Sequence, residues 1–246
     1  MANQSNRILL SVLRRVWYAL VRLHREFEST TWGSVVLGNV WPAYLFALPL
    51  AARVWGLVQV APPTTLHARA RLAQEIVTVA FLAVVVVLFA VRRRGVRGER
   101  VRWPAGLVAL FGTFLLNVVA YLPVEDTTST LLLLVSSAIV VAGTLFTIWS
   151  LAWLGRCFGL LPEVRGLVLR GPYRLVRHPV YLGEVISAVG ILIAKPHPVI
   201  LATVLLFVVL QYLRTEFEER ALCRAFPSDY PRYRARVPRL VPGWPA

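Results

Sequence analysis

Two polar clusters interrupt the apolar C-terminal half of the chain, and both carry residue types that do chemistry. The first, from Gly155 to Gly183, contains Arg170-Gly171-Pro172-Tyr173-Arg174 and Arg177-His178-Pro179-Val180-Tyr181. Gly171-Pro172 predicts a turn. Pro179 suits the first position of a helix, with Arg177 and His178 just ahead of it, where unpaired backbone N–H groups attract an anion. The second cluster is Arg214-Thr215-Glu216-Phe217-Glu218-Glu219-Arg220, at the end of the last apolar run. Adjacent carboxylates there can hydrogen-bond ribose hydroxyls or face a cationic centre. The plainer reading is a hydrated helix end with i,i+4 ion pairs Arg214–Glu218 and Glu216–Arg220, each worth about 0.2–0.5 kcal/mol. Pattern alone leaves both open.

Other chemistry has little support. The histidines His24, His67, His178 and His197 are scattered, with no partner at metal-ligand spacing, so no metal is expected. Cys157 and Cys223 are too few for a disulfide framework and are expected to stay reduced. Structural roles compete at each site position: His178 as a helix cap, Arg174 and Arg177 snorkelling to lipid phosphates, Tyr173 and Tyr181 as interfacial anchors. Gly183, Ser187 and Gly190 share a helix face, which points to close helix packing.

The elements that must position these clusters are membrane helices. Of 246 residues 57% are apolar and only 16% charged, with mean hydropathy +0.64, where a soluble domain would have about 25% charged residues. The net charge is +15 and Lys195 is the single lysine. Because the arginines sit between long apolar runs rather than on one solvated face, nucleic acid is excluded as a partner. The spacing predicts spans at Trp32–Val58, Leu72–Val91, Trp103–Leu122 and Leu131–Leu154. Leu182–Ala194 and Val199–Leu213 are each short for a crossing and read as two arms of a helical hairpin. The fold class is therefore an all-α polytopic membrane bundle, four spans plus a C-terminal hairpin, with a cytoplasmic loop and C-terminal segment. Residues 1–31, with Arg14, Arg15, Arg22 and Arg25 interleaved among apolar positions, predict a basic amphipathic interfacial helix, retained rather than removed as a secretory signal. Residues 32–246 form the main domain. Arginine clusters in the N-terminal segment, Arg92–Arg102, Arg156–Arg177 and beyond Arg214 fall on one side, which predicts both termini in the cytoplasm.

The run Gly171-Pro172-Tyr173-Arg174 through Arg177-His178-Pro179-Val180-Tyr181-Leu182-Gly183, followed by Glu218-Glu219, Phe226, Tyr230, Tyr233 and Val237-Pro238-Arg239, resembles the isoprenylcysteine carboxyl methyltransferase family. That family belongs to a superfamily of membrane methyltransferases that includes phospholipid N-methyltransferases. The resemblance covers roughly the last 95 residues, with the motif-bearing region at 154–242. It implies an S-adenosylmethionine site facing the cytoplasm, shaped by Tyr173, Arg177, His178, Pro179, Tyr181 and Gly183 and completed by Glu218 and Glu219.

Methyl transfer from a sulfonium asks the protein mainly to align donor and acceptor and to exclude water. A carboxylate acceptor is already ionised, and Arg170 or Arg174 is expected to orient it. An amine acceptor needs proton removal, for which Glu184 or His178 is nearest. The expected partner is a lipophilic acceptor reached through the bilayer, among membrane lipids. The arginine-over-lysine bias with abundant Ala, Val and Leu points to a GC-rich bacterial genome, hence an inner-membrane location and a small lipid or isoprenoid acid as acceptor. The alternatives are an amine N-methyltransferase, a sterol-reductase-like NADPH enzyme and a non-catalytic membrane scaffold.

Overall fold

The computed structural model describes residues 36–92, 103–119, 122, 129–160 and 163–243. The basic surface helix expected over residues 1–31 lies outside these. A π-helical turn, Val36–Val40, leads into α1 (Trp41–Gln59), followed by α2 (Leu66–Val91), α3 (Trp103–Val118), α4 (Thr130–Leu154), α5 (Pro179–Ala194), α6 (Pro198–Ala225) and α7 (Asp229–Arg234). Every regular element among the described residues is helical, as the apolar periodicity requires.

Local chemistry sets the helix ends. Thr65 Oγ1 accepts from the Ala68 amide at 3.1 Å and caps α2. Pro179 and Pro198 occupy the first positions of α5 and α6, where the missing N–H is harmless. Gly155, with φ 51°, ends α4 in a conformation that favours glycine.

Among the described residues, four helices are long and apolar enough to cross a bilayer: α1, α2, α4 with its 3₁₀ extension, and α6. Two expectations change here. The third expected span is a helix of 16 residues, about 24 Å long. The second hairpin arm is no short arm, because α6 runs for 28 residues and carries the second polar cluster inside its last turns. The charges at Arg214 and beyond do not stop the helix, since other parts of the chain pair with them.

The α4–α5 contact is the most extensive in the bundle; α2 lies on the other flank of α4, α1 on α2, and α3 against α6. Small residues set the α4–α5 separation. A Cβ at Gly183 would come within 2.7 Å of the Gly143 carbonyl oxygen, and Ser136 Oγ donates to the Gly190 carbonyl across the contact at 2.7 Å. Phe46, Phe89, Leu151 and Phe158 pack at one end of the bundle, Phe89 and Phe158 edge to face at 5.1 Å. Large apolar side chains such as Trp55, Val58, Leu131 and Leu205 are exposed on the outside, the surface that lipid covers.

Candidate active site

At the end of the bundle where α2 and α4 finish and α5 begins, a cleft of about 1140 Å³, counting its open mouth, is lined on one side by residues 157–160 and 163–168. Its floor is polar and comes from α5 and α6. Its wall is apolar and comes from Phe46 of α1, Phe81 and Val85 of α2, and Leu151 and Leu154 of α4.

The turn Gly171–Arg174 is a single 3₁₀ turn. Gly171 has φ 61°, and a Cβ there would lie 2.5 Å from the Trp153 ring, so both backbone and packing require glycine. The turn buries Tyr173, whose carbonyl accepts the Tyr233 hydroxyl at 2.5 Å. The backbone N–H groups of Arg177 and His178 donate to the Pro238 and Arg239 carbonyls at 2.8 and 3.1 Å. These two N–H groups, read from the sequence as an anion site, instead tie the C-terminal segment down.

Glu218 and Glu219, adjacent in sequence, have different surroundings. Glu219 is 2% exposed. It accepts from Arg177 Nε at 2.9 Å and Arg239 Nη2 at 3.0 Å, and its Oε1 lies 3.2 Å from His178 Nε2. Arg177 also donates Nη1 to the Arg234 and Val237 carbonyls at 2.9 and 2.6 Å. Glu219 does not line the cleft; it clamps the loop, α6 and the C-terminal segment together. Glu218 does line it, accepts the Tyr181 hydroxyl, and lies 3.6 Å from His178 Nδ1.

Burial alone would push the His178 imidazole down, but hydrogen bonds and charge from Glu218 and Glu219 outweigh it and hold the pKa above its ordinary 6.5. Both ring nitrogens of His178 are directed at carboxylates, Nδ1 toward Glu218 and Nε2 toward Glu219. Burial, and then the Glu218 charge, push the Tyr173 phenol well up, keeping it a neutral hydroxyl.

Arg214, taken from the sequence only as an ion-pair partner, is one of the cations that line the cleft, with Arg165 and Arg177. It is 7% exposed, lies 4.6 Å over the Tyr181 ring and donates Nη1 to Gln211 Oε1 at 3.1 Å. Gln211 in turn donates to Glu184, which also lines the cleft. The hydrated-helix-end reading therefore fails for the buried face of α6, while the Glu216–Arg220 pair forms on its outer face at 3.1 Å. Among the described residues, two buried polar atoms of cleft-lining side chains have no hydrogen-bond partner, Arg214 Nε and Tyr230 Oη. A buried polar atom without a partner is uncommon in a folded protein and calls for compensation.

Of the residues read from the sequence, Tyr173, Arg177, His178, Pro179, Tyr181 and Glu218 come together on the cleft. Gly183 faces α4 instead, where its missing side chain sets the helix contact. Arg170 and Arg174 are exposed and outside the lining, because the 3₁₀ turn points Tyr173 inward and its flanking arginines outward. Arg165, buried and paired with Glu163, was missed, and so was the role of Arg214. A signal for Arg214 was present: Gln211, Arg214, Thr215, Glu218 and Glu219 recur at helical spacing on one side of an apolar helix.

Residues 126–229 match the model of the phospholipid methyltransferase family. No curated protein matches the chain. The matched stretch carries α4, the loop, α5, α6 and the start of α7, so it contains the polar floor of the cleft and leaves out α1 to α3. It bears out the membrane methyltransferase superfamily implied by the motifs.

Proposed function

We propose that the chain transfers a methyl group from S-adenosylmethionine to the carboxylate of a lipophilic acceptor in the cleft between α2, α5 and α6. The observation that carries this reading is Arg214, a buried guanidinium on the cleft whose Nε has no partner among the described residues, in a cleft that also has an apolar wall. An anionic head satisfies the first, and a hydrocarbon chain along Phe46, Phe81 and Val85 satisfies the second, at about 0.8 kcal/mol per buried methylene.

The cofactor carries cationic, carboxylate and hydroxyl groups, and the cleft answers with the Glu218 carboxylate and the unpartnered Tyr230 hydroxyl. Glu218, Tyr181, Tyr173 and Tyr230 are the residues that would hold it, and when bound it supplies an electrophilic methyl group. The protein's own contribution is positional. Tyr181 is fixed by its bond to Glu218 and by the Arg214 guanidinium over its ring, so the anion site and the cofactor site move as one unit. Residues 157–160 and 163–168 line the cleft beside the polar floor and narrow the access of water to it.

A second reading, methylation of an amine, is supported by Glu184, a carboxylate on the same cleft able to accept a proton, and by the name of the matched family. The match favours methyl transfer over the reductase and scaffold alternatives. The arginines around the cleft, among them Arg92, Arg156, Arg165, Arg170 and Arg174, lie at one end of the bundle, which supports a cytoplasmic orientation for that end.

Purified protein incubated with methyl-labelled S-adenosylmethionine and matched long-chain acids and amines tests this. Label in an alkali-labile ester is the expected product. Alkali-stable label on the amine would establish the second reading, and saturable NADPH binding without methyl transfer would overturn both.

A further inference from the structure

Gln211 is a polar residue inside α6, flanked by Leu210 and Tyr212 and fully buried. A polar side chain in a membrane helix is expensive and turns toward the bundle interior. An amide presents a donor and an acceptor side by side, and Gln211 uses both. Its Oε1 accepts from Arg214 Nη1 at 3.1 Å, one turn further along α6, and its Nε2 donates to Glu184 Oε2 of α5. Because a guanidinium only donates and the carboxylate oxygen accepts, the two partners fix which way the amide faces. The Tyr181 ring, 4.6 Å from Arg214 Cζ, holds the guanidinium from a second direction.

Behind this pair stands α3. Gly112 is buried within that helix, where glycine weakens the helix relative to alanine. What the missing methyl provides is close approach. A Cβ at Gly112 would stand 2.9 Å from Arg214 Cδ, 3.3 Å from Gln211 Oε1 and 3.6 Å from Leu210 Cβ. Arg214 Cδ carries the guanidinium, so the stem cannot give way without moving its head. Gly56 of α1 gives the contrast, since a Cβ there meets nothing within 4 Å. Neither Gly112 nor Gln211 is among the described residues that line the cleft, whereas Arg214 and Glu184 are. Any effect of the first two on the cleft therefore passes through the second two.

We propose that Gly112 and Gln211 are positioning residues for the acceptor: the close approach of α3 at the glycine and the amide bridge together seat the Arg214 guanidinium on the cleft in register with Glu184. This rests on the reading of Arg214 as the cation that binds the acceptor carboxylate. Gly112 lies outside the family-matched residues 126–229, so a helix that carries none of them helps to set the acceptor's seat. A methyl group at position 112 displaces the guanidinium from behind, and loss of the amide releases it from the side. Both changes reach the acceptor first, and the cofactor only through the Tyr181 ring under Arg214.

The test uses the full chain in detergent with methyl-labelled S-adenosylmethionine and a long-chain acid. Gly112→Ala should raise KM for the acid at least about tenfold, as for one lost bond to a charged group, and raise the cofactor Kd less. Gln211→Met, of similar volume but without the amide, should do the same, and it decides the matter if Gly112→Ala does not fold. Gly56→Ala should keep the wild-type KM. Combined with Arg214→Ala, neither substitution should raise KM further, because the side chain through which each acts is gone. Thermal melts report the fold of each protein. Wild type that transfers no label to the acid would overturn the acceptor reading and the proposal with it. Active wild type beside an unchanged KM in both variants, a fall in kcat alone, or shifts that add to that of Arg214→Ala would overturn the proposal and leave the acceptor reading standing.

Discussion

Arg177 and Glu219, 42 residues apart, form an ion pair at 2.9 Å with each side chain 3% exposed. It joins the loop before α5 to the last turns of α6. Removing one partner of a buried pair leaves an uncompensated charge and costs about 3–5 kcal/mol.

Glu219→Ala should therefore lower the melting temperature of the detergent-solubilised protein sharply. Glu218→Gln, on the cleft, should melt near wild type and bind S-adenosylmethionine about ten- to a hundredfold more weakly, as for one lost hydrogen bond to a charged group. Titration calorimetry and thermal melts on both variants measure this separation. Equal effects of the two variants on both readouts would remove the distinction between clamp and cleft.

The raised pKa of His178 gives stability a pH dependence of defined sign. A folded-state pKa above the ordinary 6.5 means the protonated ring stabilises the fold fully below about pH 6.5 and loses that contribution as pH rises through the folded value. Melting temperature should fall across that window in wild type. In His178→Gln that component of the slope should vanish, and an unchanged profile would show that His178 is not held between the carboxylates.

Arg174 and Arg214 should behave oppositely. Arg174→Ala alters an exposed position and should leave methyl transfer close to wild type. Arg214→Lys keeps a charge but lacks the Nε donor and the planar stack on Tyr181, and should lower methyl transfer about ten- to a hundredfold. Rates with a labelled donor, at saturating cofactor, read both.

Gly183→Val should destabilise the bundle rather than act on the cofactor directly, because even a Cβ there meets Thr147 Oγ1 at 2.3 Å and the Gly143 carbonyl. Forced overpacking of this kind costs about 1–3 kcal/mol. A lower melting temperature is expected. A normal melt with weak cofactor binding would place Gly183 on the cleft instead.

Much of this molecule is written along the chain. Runs of apolar residues at membrane length and Pro179 as a helix start are local properties, so the spans within α2 and α4 and the start of α5 were legible without a partner. The two polar clusters were legible too, because polar residues between membrane spans require some compensation. What the chain alone left open was the compensation itself. Whether α6 stops at Leu213 or runs on to Ala225 depends on Arg177, Arg239 and Tyr181 being there to neutralise its charges. Those partners are far away in sequence. Likewise the sequence presents Glu218 and Glu219 as a pair, Arg170 and Arg174 as the acceptor's cations and Arg214 as an ion-pair partner, while the packed structure separates the two carboxylates, leaves Arg170 and Arg174 exposed and brings Arg214 to the cleft. Burial decides this, because a charge without water must find its counter-charge in the folded chain, and only the tertiary arrangement says which side chain supplies it.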